Sequence, residues 1–152
     1  WEGGPYWATC NVGADTPEGY GILTNFNDAA QAVTNALGTE WRVPSDGELK
    51  MLAGMNDGDK VCSNVWTTCN GVAGRRFFGM TSGYEDKSIF LPAAGVVKPA
   101  GRKNVGDEGD YWPSTEKGAL TAWILFFNKY AALVDQSDRS DGLSVRAVRD
   151  AK

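Results

Sequence analysis

The chain has 152 residues, 42% hydrophobic and 22% charged, with a formal net charge of −4. That length fits one domain with its own core, and the composition argues against disorder and against the dense basic face of a nucleic-acid binder. Histidine is absent, which excludes Ser-His-Asp, Cys-His and zinc–histidine chemistry.

Nineteen glycines and 11% aromatic residues predict a loop-rich domain pinned by large buried rings. Residues 1–20 read as an edge strand around Tyr6-Trp7-Ala8 followed by irregular chain. A helix is predicted over 27–37, with Ala29, Ala30, Val33, Ala36 and Leu37 on one face, Asn25 or Asn27 as cap and Gly38 as stop. A second is predicted over 45–54, where Ser45 and Glu48 have capping-box spacing and Leu49, Leu52 and Ala53 form the inward stripe. Beyond residue 60 the chain reads as short strands. These are 64–68, ending in the turn signal Asn70-Gly71, then 76–80 and 88–91, a loop over 98–110, a strong strand over 121–127, another over 130–134, and a last one over 143–148. Helices first and strands afterwards predict an α+β fold, two helices packed on a small, mainly antiparallel sheet with long loops. Trp41, Trp66, Trp112 and Trp123 are expected to be largely buried.

Few motifs carry chemistry. Gly101 to Gly106 has phosphate-loop spacing, but Asp107 stands where the lysine belongs. Asp107, Glu108 and Asp110, and likewise Asp135, Asp138 and Asp141, offer oxygen ligands without a calcium-loop pattern and are read as solvated loop acids. The three cysteines are read as small buried apolar side chains, with a Cys62–Cys69 pairing left open. No run of 18 apolar residues occurs, so no membrane span is expected. The start at Trp1, with neither Met nor a signal-type segment, leaves address information missing or removed. The strand over 121–127 is apolar on both faces. It is either a central strand covered on both sides, the reading its pattern slightly favours, or one whose Ile124 and Phe126 form an exposed contact patch with Trp123 and Leu125 pointing into the core.

Six blocks in order, Tyr6–Ala14, Trp41–Ser45, Phe90–Gly95, Tyr111–Thr115, Ala122-Trp123 and Ser144–Arg149, together resemble the Fibrobacter succinogenes major paralogous domain of Bacteroidetes. That domain is similar to the formylglycine-generating-enzyme type of C-type lectin fold, and the blocks cover nearly the whole chain. The stretch 110–149 further resembles the variable region of diversity-generating retroelement proteins, found in gut bacteria and phages and rewritten by adenine-directed mutagenesis. The sugar- and calcium-binding motifs of C-type lectins are missing, and no cysteine follows Cys69 to serve as the enzymes' redox pair. The resemblance therefore implies a non-enzymatic, cofactor-free protein that binds a protein or cell-surface ligand at the cell surface, in secreted form or on a phage particle. A non-diversified surface-displayed paralogue is the alternative. Randomised Asn codons do not yield Trp, Lys or Gln, so Trp123, Lys129 and Gln136 are expected to be fixed. The candidate binding residues are Gly118, Leu120, Thr121, Ile124, Phe126, Tyr130, Ala132, Val134, Ser137, Asp138, Ser140, Asp141 and Leu143. Arg146 and Arg149, in the closing block, are assigned structural roles.

Overall fold

The helices form where local capping chemistry supports them. A computed structural model describes residues 1–151. In it α1 spans Phe26–Leu37, its first turn capped by the Asn25 side chain, which accepts from the Asp28 N–H, and its end marked by Gly38 at φ 93°. The buried stripe of α1 is Ala29 and Val33, with Phe26 and Ala32 packed beside them. Ala30, Ala36 and Leu37, expected on the inward face, are exposed. The helix is rotated so that Phe26 meets the Trp112 ring edge-on at 5.5 Å. α2 spans Asp46–Ala53 and carries the full Ser45/Glu48 capping box, with Gly54 left-handed at its end. Its Leu49, Leu52 and Ala53 are buried as the spacing predicts.

The strands are β1 (Tyr6–Trp7), β2 (Trp41–Arg42), β3 (Cys62–Cys69), β4 (Val72–Gly79), β5 (Ser88–Pro92), β6 (Val96–Lys98), β7 (Gly101–Lys103), β8 (Gly109–Tyr111), β9 (Thr121–Phe127), β10 (Ala132–Asp138) and β11 (Val148–Arg149). Among the described residues they form four small antiparallel sheets, in the orders β1-β11-β2, β3-β4-β5, β6-β7 and β8-β9-β10. With the two helices this is an α+β fold. The β3–β4 hairpin turns at Asn70 (φ 48°) and Gly71 (φ 83°), the paired positive φ that an Asn-Gly turn supplies.

The structure differs from expectation in two stretches, at the bounds of several strands, among them β10 (132–138 where 130–134 was expected), and in the burial of three tryptophans. The segment 98–110 is not one loop: β7 and the start of β8 lie in it, with Gly101 at φ 121°. The last predicted strand is reduced to Val148–Arg149. Residues 143–147 instead thread the interior, each buried, linked by bonds such as Val12 N–H to Val145 O and Trp112 N–H to Ser144 O. Of the four tryptophans expected to be largely buried, Trp112 is fully buried while Trp41, Trp66 and Trp123 are half-buried.

Two apolar cores flank β9. On one side Ala122 and Ile124 join Ala29 and Val33 of α1, Trp112, Leu143 and Val145; on the other Leu125 and Phe127 join Leu49 and Leu52 of α2, Phe77, Leu91 and Tyr111. From Ile124 onward β9 is thus the covered central strand of the two readings its sequence allowed, while Thr121 and Trp123 at its start join neither core. No described helix is long and apolar enough to cross a membrane.

Candidate functional site

The site follows from how far each core extends along β9. Antiparallel pairing with β10 sets Thr121 against Asp138, Trp123 against Gln136, Leu125 against Val134 and Phe127 against Ala132, all on one face. α2 covers the Leu125–Phe127 half of that face, where the β10 residue Ala132 packs into the same core. At the other end Thr121 and Trp123 are half-buried, and Gln136 and Asp138 are exposed. Lys117 Nζ lies 5.2 Å from the Trp123 ring centroid, and Leu120, just before the strand, is 80% exposed. An aromatic ring, an exposed leucine and three polar side chains therefore share one end of the hairpin.

Arg139 holds the adjoining loop. Its guanidinium donates to Gly118 O at 3.0 Å and Asn27 Oδ1 at 2.7 Å and lies 4.6 Å from the Phe26 ring centroid. Its backbone N–H donates to Leu120 O. The loop 116–120 is thereby tied to α1, a clamp that no motif in the sequence announced; the lone cation after a strand of polar residues was its only trace.

The candidate residues divide. Gly118, Leu120, Asp138 and Ser140 are exposed and Thr121 is partly so, all at this end. Ser137 is half-buried and donates to Asp141 Oδ2 at 2.8 Å. Tyr130, 81% exposed, stands in the β9–β10 turn at the opposite end, with half-buried Ala132 and Val134 on the strand that follows; the Val134 N–H donates to Met55 Sδ. Three candidates are corrected. Ile124 is 3% exposed, Leu143 is fully buried, and Asp141 is 2% exposed. Ile124 lies between α1 and the threading segment 143–147, so the face expected to be displayed is the covered one, and Phe126 is half-buried against the same core. Conversely Trp123, assigned to the interior, is on the open face. The displayed set is shifted by one residue from the expected patch, as happens when a strand is apolar on both sides and alternation does not choose between them.

The loop acids also need correction. Asp141 is buried and pairs with Lys98 Nζ at 2.5 Å. Asp110, 5% exposed, has its carboxyl pushed up to about 9 by burial and by neighbouring Glu108. Neither is a solvated acid. Among the described residues no three Asp, Glu or Cys side chains gather as a metal-holding group. Cys62 and Cys69 are free. They sit at opposite ends of β3, about 23 Å apart by strand geometry, so the pairing left open does not form. Cys62 is buried, but Cys10 and Cys69 are only half-buried.

Residues 63–148 match the family described as Domain of unknown function (DUF8237). The chain belongs to that family. The DUF8237 span begins in β3 and runs through the β8-β9-β10 sheet to the first residue of β11, so it holds the whole hairpin site, while both helices precede it. No curated protein and no solved structure matches the chain.

Proposed function

We propose that this chain is a non-enzymatic ligand-binding protein of C-type lectin-like fold, similar to the variable proteins of diversity-generating retroelements. It recognises a protein or cell-surface ligand with the open end of the β9–β10 hairpin. The observation that carries this reading is the partly exposed Trp123 ring, paired across the hairpin with Gln136 next to the Thr121–Asp138 pair, with the exposed Leu120 just before the strand. A rigid aromatic anchor amid small and polar residues is the composition of a paratope. Trp123 and Leu120 bury apolar area against the partner, and Thr121, Gln136 and Asp138 orient it by hydrogen bonds.

In this reading Trp123 and Gln136 are the constant anchors, because randomised Asn codons do not produce them. Gly118, Leu120, Thr121, Asp138 and Ser140 are the positions open to rewriting, with Tyr130 an outlier at the far end. The six sequence blocks from residue 6 to 149 support the lectin-like scaffold, and one buried core behind the face with a second at its far end suit a surface that changes while the fold holds.

The test has two arms. The gene's neighbourhood is sequenced for a reverse transcriptase and a near-copy repeat of the 110–149 segment, and sister isolates are compared. Substitutions concentrated at 118, 120, 121, 138 and 140 support the proposal; absence of the repeat together with an invariant segment favours the non-diversified paralogue. Separately, the protein is screened on arrays of cell-surface glycans and proteins. Binding lost in Leu120→Ser and Trp123→Ser, with unfolding temperature held, supports the face; binding that survives both substitutions refutes it.

A further inference from the structure

A strand that ends a sheet presents a row of backbone N–H and C=O groups, which proteins cover, blunt or pair. Most such rows are closed here. On β10 the outward Val134 N–H donates to Met55 Sδ and the Gln136 N–H to Asp135 Oδ1. On β5 Phe90 O accepts from Arg146 and Pro92 O from the Tyr111 hydroxyl. β8 is bridged to Gly95 and Ser144, and β6 to Gly142. β7 is three residues long and carries Arg102 and Lys103, and β1 and β2 are two residues each.

The eight-residue β3 is different. Asn70-Gly71 makes a two-residue turn, so Cys69 and Val72 are its closing bonded pair, and alternation from there bonds Thr67, Val65 and Ser63 to β4. The same phase continues past the strand, where the Met80 N–H donates to Val61 O. Asn64, Trp66 and Thr68 therefore turn their N–H and C=O groups outward, and among the described residues none of these backbone groups has a hydrogen-bond partner. A Cβ on Gly54 would meet Cys62 O at 3.0 Å, so the open row begins at Asn64. Val65 and Thr68 are exposed, while the Trp66 ring packs on Phe127. β3 has no charge, proline or bulge to protect it. No charged residue stands between Lys60 and Arg75, the longest such run in the chain.

We propose that β3 pairs antiparallel with β3 of a second copy of this chain, about a two-fold axis at Trp66. Asn64 then faces Thr68 of the second copy and Trp66 faces its counterpart, each pair exchanging both backbone hydrogen bonds. On the outer face Val65 meets Thr67 of the second copy, and the two three-stranded sheets join edge to edge. A second copy fits because the chain is net negative, and its longest uncharged run is where two copies meet without setting like charges against each other. The inference is independent of the function proposed for the β9–β10 face.

Sedimentation equilibrium in reducing buffer, which keeps Cys69 from cross-linking, and amide hydrogen exchange at low and high protein concentration test this. The expected result is a monomer–dimer equilibrium with Kd below about 1 mM, with exchange at the Asn64, Trp66 and Thr68 amides slowing as the dimer forms. Thr68→Pro removes an N–H the fold does not use, at an edge where proline is tolerated. It should stay monomeric, with a urea midpoint at high dilution close to the parent's. Val65→Lys/Thr67→Lys sets like charges opposite each other in the dimer and should weaken it about tenfold, whereas Val65→Glu/Thr67→Lys sets opposite charges there and should keep it. The proposal is overturned by a chain that stays monomeric up to about 1 mM, which would leave the row to a strand of another protein. It is equally overturned by a dimer whose three amides exchange as fast as the monomer's, by a folded Thr68→Pro that still dimerises, or by two charge variants that dimerise alike.

Discussion

Arg146 is 1% exposed, and among the described residues no carboxylate forms an ion pair with it. Its guanidinium donates to Asn11 Oδ1 at 3.0 Å, Ala8 O at 3.2 Å and Phe90 O at 2.8 Å, so one side chain ties the threading C-terminal segment to the N-terminal segment and to β5. Arg146→Met preserves most of the volume but leaves those three acceptors without a donor in a buried place. Each orphaned acceptor costs about 1–3 kcal/mol. Against this, the unpaired guanidinium bears a desolvation cost in the parent, visible as burial pulling its pKa below the usual arginine value, and that cost disappears in Met. The net expectation is a loss of about 3–5 kcal/mol, near the upper end for single substitutions. With a urea m-value of about 2 kcal/mol/M, the midpoint falls by about 2 M at unchanged m. Arg146→Lys keeps the charge but not the fork, and should recover less than half of the loss. A midpoint unchanged in Arg146→Met, or fully restored by Lys, refutes the reasoning, because the three-way fork would then contribute nothing of its own.

Ile124→Ser should destabilise by about 3–5 kcal/mol, since it opens a cavity and buries a hydroxyl between α1 and residues 143–147, whereas Leu120→Ser should stay within about 0.5 kcal/mol; urea unfolding of both checks which face is covered. The Glu48 carboxyl is held below the usual range: burial opposes its charge, but the Arg42 fork at 2.7 and 2.8 Å and the Ser45 N–H outweigh it. A depressed folded value gives stability that is present above the unfolded value of about 4.3 and lost as pH falls through the folded one, so Glu48→Gln should flatten the acid limb of the stability–pH curve. Asp110 is the opposite case, its pKa raised to about 9 by burial and Glu108. Its contribution is full below about pH 4 and is lost as pH rises through about 9, so Asp110→Asn should flatten the decline across that window and exceed the parent's stability at its alkaline end.

What was legible in the sequence was local. Ser45 with Glu48, Asn25, Gly38 and Gly54 mark helix ends through bonds made within a few residues, and the helices begin and end beside them. Asn70-Gly71 likewise forces its own turn. Strands of two or three residues have no such signature. β2, β6 and β7 are too short for alternation to show, and β6 pairs with β7 across Pro99 and Ala100, which read as loop. The burial of Asp110 and Arg146 was not legible either, because it depends on which distant segments close over them: Arg146 is satisfied by residues 135 and 138 positions away in sequence as well as by β5.

The displaced site has the same origin. From Thr121 to Phe127 the two faces differ little in hydropathy, so which is displayed is decided by what covers them. α2, only eight residues long, shields Leu125 and Phe127 and stops short of Trp123 and Thr121. On the other face, α1 and residues 143–147 reach Ala122 and Ile124. The consequence for the proposed function is quantitative. Rewriting Ile124 or Leu143 to a polar residue would cost about 3–5 kcal/mol, out of a total stability of about 5–15, so most outcomes there would unfold the domain. Rewriting Leu120, Asp138 or Ser140 costs almost nothing. A protein that diversifies its binding face can therefore do so only where both helices leave β9 and β10 uncovered, and that boundary falls between Ile124 and Trp123.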